Sequence, residues 1–125
     1  MMEASCVQFI EKLMNTSNFL QGIALETLEY WEPDLPPVTI LFAAIGKELT
    51  RRFDSMGNES IVIVFELIED AMNANDNVLK SAVATGIIEA IISESSRNDE
   101  LWSRIESQLG STSKHHAEGW RNTAV

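Results

Sequence analysis

Apolar residues recur in steps of three and four along almost the whole chain, a spacing that suits helices and leaves little room for anything else. Cys6, Val7, Ile10, Leu13 and Met14 form a first stripe. Asn18, with Gln21 three residues later, reads as a capping-box start for a second helix carrying Phe19, Leu20, Ile23, Ala24, Leu28 and Trp31. The run Glu32-Pro33-Asp34-Leu35-Pro36-Pro37 ends it. A third helix opens at Pro37, where a missing amide hydrogen costs nothing, and runs through Val38, Leu41, Phe42, Ile45, Leu49 and Phe53 towards Gly57, with Gly46 weakening its middle.

Asn58 is the expected cap of a fourth helix, whose buried face is Ile61, Val64, Phe65, Ile68 and Met72. The segment Ile61 to Phe65 has strand propensity by itself, but its continuation through Glu66 to Met72 keeps the helical period. After the turn Asn75-Asp76-Asn77, a fifth helix from about Val78 to Ile92 is apolar on most sides. Only Ser81, Thr85, Glu89 and Ser93 make a polar stripe along it, which predicts a central position. Asn98 or Asp99 caps a sixth helix with Leu101, Trp102, Ile105 and Leu109. Gly110 sits where a left-handed terminal residue belongs, and a short last helix follows around His116 to Trp120.

The prediction is an all-α single domain over residues 1–125, a bundle or short helical-hairpin superhelix of six to seven antiparallel helices, with frayed ends at 1–3 and 121–125. A chain of 125 residues is long enough to bury a core without staples, and three tryptophans and five phenylalanines are expected to supply much of it. Cys6 is the sole cysteine, so no intrachain disulfide forms, and it reads as a small core residue. The N-terminus has no basic segment ahead of an apolar one, and no run of about 18 apolar residues occurs, which points to a cytoplasmic protein without membrane contact.

Charge narrows the function. There are 19 acids against 9 bases, a formal net charge of −10. Asp54, Glu59, Glu66, Glu69, Asp70 and Asp76 lie between Arg52 and Lys80 with no base among them, as do Glu26, Glu29, Glu32 and Asp34 between Lys12 and Lys47. Such fields attract cationic partners and repel phosphate backbones, which argues against nucleic acid. Glu66, Glu69, Asp70 and Asn73 are expected on one solvated face opposite the buried stripe; with Asp76 they form the first candidate patch for a basic protein. Glu26, Glu29, Glu32 and Asp34 form the second.

Glu89 is a third candidate. Set in Gly86-Ile87-Ile88-Glu89-Ala90-Ile91-Ile92, it must reach solvent, a partner or an internal base such as Lys80 or an arginine, because an unpaired buried carboxylate is costly. The stripe that contains it is a possible groove floor. Nucleotide-binding loops, nucleophile elbows and paired cysteines are missing, which points away from an enzyme and from a cofactor. No metal is expected either. A carboxylate-bridged metal bundle needs Glu three residues before His, whereas Thr112 precedes His115 and Ser113 precedes His116, and the two histidines read as a solvated pair.

Four segments carry a resemblance: Trp31-Glu32-Pro33-Asp34-Leu35-Pro36-Pro37-Val38-Thr39; Ile68-Glu69-Asp70 with Asn75-Asp76-Asn77-Val78; Val83-Ala84-Thr85-Gly86-Ile87-Ile88-Glu89; and Leu109-Gly110-Ser111 with Trp120. Across roughly residues 19 to 120 they resemble a small all-helical bacterial family similar to the immunity proteins encoded beside polymorphic or contact-delivered toxins. The resemblance implies neutralisation of a cognate toxin by binding and assigns no functional residue. Its proline pair, Gly86 and Leu109-Gly110 read as structural: a helix start, a close helix approach and a helix end. The alternative is a helical adaptor or regulatory protein that binds a basic partner. Homodimerisation stays open.

Overall fold

The most apolar helix foreseen in the sequence occupies the middle of the molecule. The computed structural model describes residues 2–124, apart from the side chain of Ala124; Met1 and Val125, at the extremes of the expected frayed ends, lie outside the described residues. Seven helices form among them, and no strand: α1 (Ala4–Thr16), α2 (Asn18–Trp31), α3 (Val38–Arg51), α4 (Asn58–Met72), α5 (77–95), α6 (Asp99–Glu106) and α7 (Ser111–Ala124). Helix α5 is continuous through three stretches, Asn77–Ser81, a wider π-helical segment Ala82–Ile88, and Glu89–Ser95. Within that π segment only Thr85 is exposed.

Helix α5 contacts α1, α3, α4, α6 and α7, while α2 packs on α1 and α3 and α1 also packs on α4. Contacts between helices distant in sequence close the chain into a bundle instead of extending a superhelix. Two glycines allow a close approach between α3 and α5. A Cβ on Gly86 would lie 2.5 Å from the Cβ of Phe42, and one on Gly46 would lie 2.6 Å from the Ile87 carbonyl oxygen. Gly46 is therefore a contact point of the fold, whatever helix propensity it gives up.

One hydrophobic cluster fills the interior. The expected face of α4 is buried throughout, at Ile61, Val64, Phe65, Ile68 and Met72, and Cys6 is fully buried. Burial pushes the Cys6 thiol above its usual pKa. Phe9 stacks on Phe42 with centroids 5.5 Å apart, and Phe53 meets Phe65 edge-on at 6.3 Å. The aromatic core is smaller than expected: Trp102 is buried, but Trp31, Trp120, Phe19 and Phe53 are only partly so.

Several boundaries differ from the expected ones for local reasons. Ser17, not Asn18, caps α2, its hydroxyl accepting the Leu20 amide at 3.3 Å. Gly57, not Asn58, precedes α4. Helix α3 stops at Arg51 and a 3-10 turn, Phe53–Ser55, continues the chain. Asp76 starts α5 by accepting the Leu79 amide at 3.0 Å. Gly110 is not left-handed, and α7 runs on to Ala124.

The glycine contacts yield a contrast between substitutions. Gly86→Ala and Gly46→Ala are each expected to destabilise by about 1 to 3 kcal/mol through overpacking. Gly22→Ala, on the open side of α2 with nothing near its Cβ position, should stabilise by about 0.5 to 1 kcal/mol. Urea unfolding of the three variants checks this; equal effects would place the α3–α5 approach elsewhere.

Candidate functional site

The acids divide into two groups by what they touch. Glu69 lies within α4, yet its carboxylate is spent on the first turn of α7. Oε2 accepts the Thr112 amide at 3.0 Å, and Oε1 accepts the Ser113 amide at 2.9 Å and the Ser113 hydroxyl at 2.7 Å. Asn73 donates to Glu69 from its side-chain amide at 3.1 Å and accepts the Thr112 hydroxyl at 2.7 Å. The donors at a helix start have no partners inside their own helix, and a carboxylate placed there satisfies them while matching the helix dipole. Gly110 makes room for it, since a Cβ at that position would overlap the end of the Glu69 side chain.

This remote cap explains why the last helix starts at Ser111, well before the stretch around His116 that local patterning marked. It also removes Glu69 from the solvated face on which it was expected. Burial by itself would raise the Glu69 carboxyl, but the bonds from Thr112, Ser113 and Asn73 outweigh it and hold its pKa at about 2.

Asp76 is engaged as the cap of α5, and its carboxyl is held below the usual range by the Leu79 amide and by the Ser5 side chain. Glu89 finds its internal partner in His116 of α7, at 3.1 Å from Nε2, and not in Lys80 or an arginine. His116 is accordingly half-buried and only His115 of the pair is exposed. Of the first candidate patch, Glu66 and Asp70 remain exposed beside Asn73, and Asp70 shares a shallow groove between α1 and α4 with Lys12.

The second candidate patch has a different character. Glu26, Glu29, Glu32 and Asp34 are all exposed, and none makes an ion pair among the described residues. The arginine pairs gather at the opposite end of α3: Arg51 with Glu94, Arg52 with Glu48, and Arg104 with both Asp54 and Glu100. Arg52 and Arg104 also cover the rings of Phe19 and Phe53, and Arg121 lies 4.8 Å from the ring of Trp102. Four of the five arginines, all but Arg97, are thus used within the fold, and the acids of α2 and the following turn stay unbalanced.

Large apolar side chains stand among those acids. Tyr30 is 84% exposed, Leu25 50% and Leu35 55%. Such residues favour burial by a partner, and tyrosine is enriched where binding energy concentrates. Patterning by charge missed them; the available signal was that Leu25 and Tyr30 fall off the buried stripe of α2 while flanking Glu26 and Glu29. Among the described residues no three His, Cys, Asp or Glu side chains converge to hold a metal ion, and no helix is long and apolar enough to cross a membrane. Comparison with protein-family models, curated proteins and solved structures finds no match.

Glu69 generates a pH prediction. Its folded pKa of about 2 lies below the ordinary value of 4.5, so its stabilisation is complete above pH 4.5 and is lost as pH falls towards 2. Glu69→Ala is expected to lower stability at neutral pH by about 1 to 3 kcal/mol and to flatten that acid limb. Urea unfolding at neutral and acid pH, with amide exchange of Thr112 and Ser113, measures both. An unchanged acid limb in the variant would assign the acid sensitivity to other carboxylates.

Proposed function

We propose that the protein is a cytoplasmic immunity protein that binds a cognate bacterial toxin stoichiometrically and neutralises it through an acidic surface. The observation that carries this reading is a local charge imbalance: Glu26, Glu29, Glu32 and Asp34 stand exposed in one stretch without counter-ions, whereas Arg51, Arg52 and Arg104 are paired near the other end of α3. Uncompensated like charges at helical spacing weaken a helix slightly, so folding alone gives no reason for them. An immunity protein must capture its toxin quickly, and an acidic face speeds encounter with a basic one.

The structure changes which acids we assign to the interface. Glu69 and Asp76 serve the fold, which leaves Glu26, Glu29, Glu32 and Asp34 as the main contact set. Glu66 and Asp70 are a smaller second set. Glu89, paired with His116, contributes at most its outer edge. The exposed Tyr30, Leu25 and Leu35 supply apolar contact that charge cannot. A helical adaptor for a basic regulatory protein would use the same face, and the partner's toxicity separates the two.

The test replaces Glu26, Glu29, Glu32 and Asp34 together with lysine, because exposed pairs are individually worth only about 0 to 1 kcal/mol. The neighbouring reading frame is expressed with either chain. Wild-type chain is expected to relieve growth arrest, and the folded quadruple variant to fail, with association slowing as salt rises past the range where the Debye length is about 8 Å. No arrest from the neighbouring product would remove the toxin reading. Full protection by the variant would remove this face.

A further inference from the structure

The acidic face adjoins an apolar trough. A groove of about 300 Å³ between α1 and α2 is floored by Ile10, Met14, Leu28 and Leu41 and edged by Val7 and Leu35. A second groove, of about 320 Å³, shares Met2 and Leu35 with the first and continues to Val38 and Val78 at the start of α5. The charged residues that line them are Glu11 in the first and Glu3 in the second. Glu32 follows Leu28 by one helical turn and Asp34 adjoins Leu35 in the chain, so two further acids lie close to the lining residues. Lys12 points to the other side of α1, into the groove shared with α4. Val7, Leu35 and Val78 are 39%, 55% and 46% exposed.

We infer that this trough binds an amphipathic helix of the protein partner, with apolar residues facing Val7, Met14, Leu28 and Leu35 and lysine or arginine along its flanks. The inference rests on the reading above that the partner is basic, and it adds the shape of what is bound. An apolar floor offers an extended peptide no hydrogen-bond partners, and the described residues include no strand edge to pair with. A helix satisfies its own backbone. Val7 to Met14 rises about 10 Å along α1, the span of apolar residues at i, i+3, i+4 and i+7 on an incoming helix. A second copy of this chain is a poor occupant, because it would bring a net charge of −10 against these acids.

The experiment titrates the full chain with a synthetic helical peptide of about eighteen residues carrying leucine at i, i+3, i+4 and i+7 and lysine on the flanks. Calorimetry is expected to show binding that weakens by about tenfold or more with a scrambled peptide of the same composition, and likewise with the Val7→Gln, Leu35→Gln double variant. The Val62→Gln, Ile63→Gln variant removes similar exposed apolar surface from α4 and should stay within about twofold of wild type. Circular dichroism confirms that both variants are folded. Equal binding of ordered and scrambled peptides, or full binding by the trough variant, would overturn the inference. So would a dimer of the wild-type chain that the trough variant abolishes. Trough binding of the peptide without toxin protection would uphold the trough and remove the immunity reading, whereas protection retained by the trough variant but lost on reversing the α2 acids would do the opposite.

Discussion

The close approach of α3 to α5 is the constraint on which the other helices depend. Gly46 and Gly86 bring the two backbones near enough that Phe42 and Ile87 seal the centre, and any larger residue at either position would meet backbone or a Cβ. Once α5 is held there, nearly all its circumference is covered, and the remaining helices have little choice of where to bury their stripes. Helices α2 and α1 continue the layer from α3, α4 and α7 close on α5, and α6 packs on its C-terminal half. Interiors packed to crystalline density transmit such a constraint because they have no slack to absorb it.

From that arrangement follows a division of labour among the acids. A carboxylate that the fold brings to a helix start is immobilised: Glu69 holds α7 to α4, and Asp76 begins α5. Both were first read as surface charge. Those on α2 and in the turn after it face no helix start and no arginine, and they surround Tyr30, Leu25 and Leu35. The same residue type therefore stabilises the protein where it meets a helix start and, in our proposal, recruits a basic partner where it is left free.

The helices were readable because burial imposes its period on the sequence. The α4 stripe and the polar line Ser81, Thr85, Glu89 and Ser93 on α5 could be inferred from spacing alone, and Gly86, in a segment that carries the family resemblance, read as a close helix approach. Features that depend on contacts across the chain were not. The start of α7 depends on Glu69, 43 residues before Thr112, and nothing near Ser111 advertises it. Gly110 had a local explanation as a helix terminator and a different actual use, clearance for that carboxylate. Glu89 did signal its need for a partner, but His116 could be named only once α7 was placed. The candidate interface was half legible: its charges were evident, whereas Leu25 and Tyr30, off the apolar stripe of α2, and Leu35, in the turn that ends it, carried no weight in a reading by charge.

The central claim is that partner binding uses the α2 face and the trough beside it, while the acids around Glu69 serve the fold. Hydrogen–deuterium exchange of the chain with and without its partner tests it most directly. The account predicts that residues 25–35 and residues 7–14 of α1 gain protection on binding, with the Glu69-capped start of α7 equally protected in both states. New protection confined to residues 66–73 and the start of α7, with 25–35 unchanged, would contradict it.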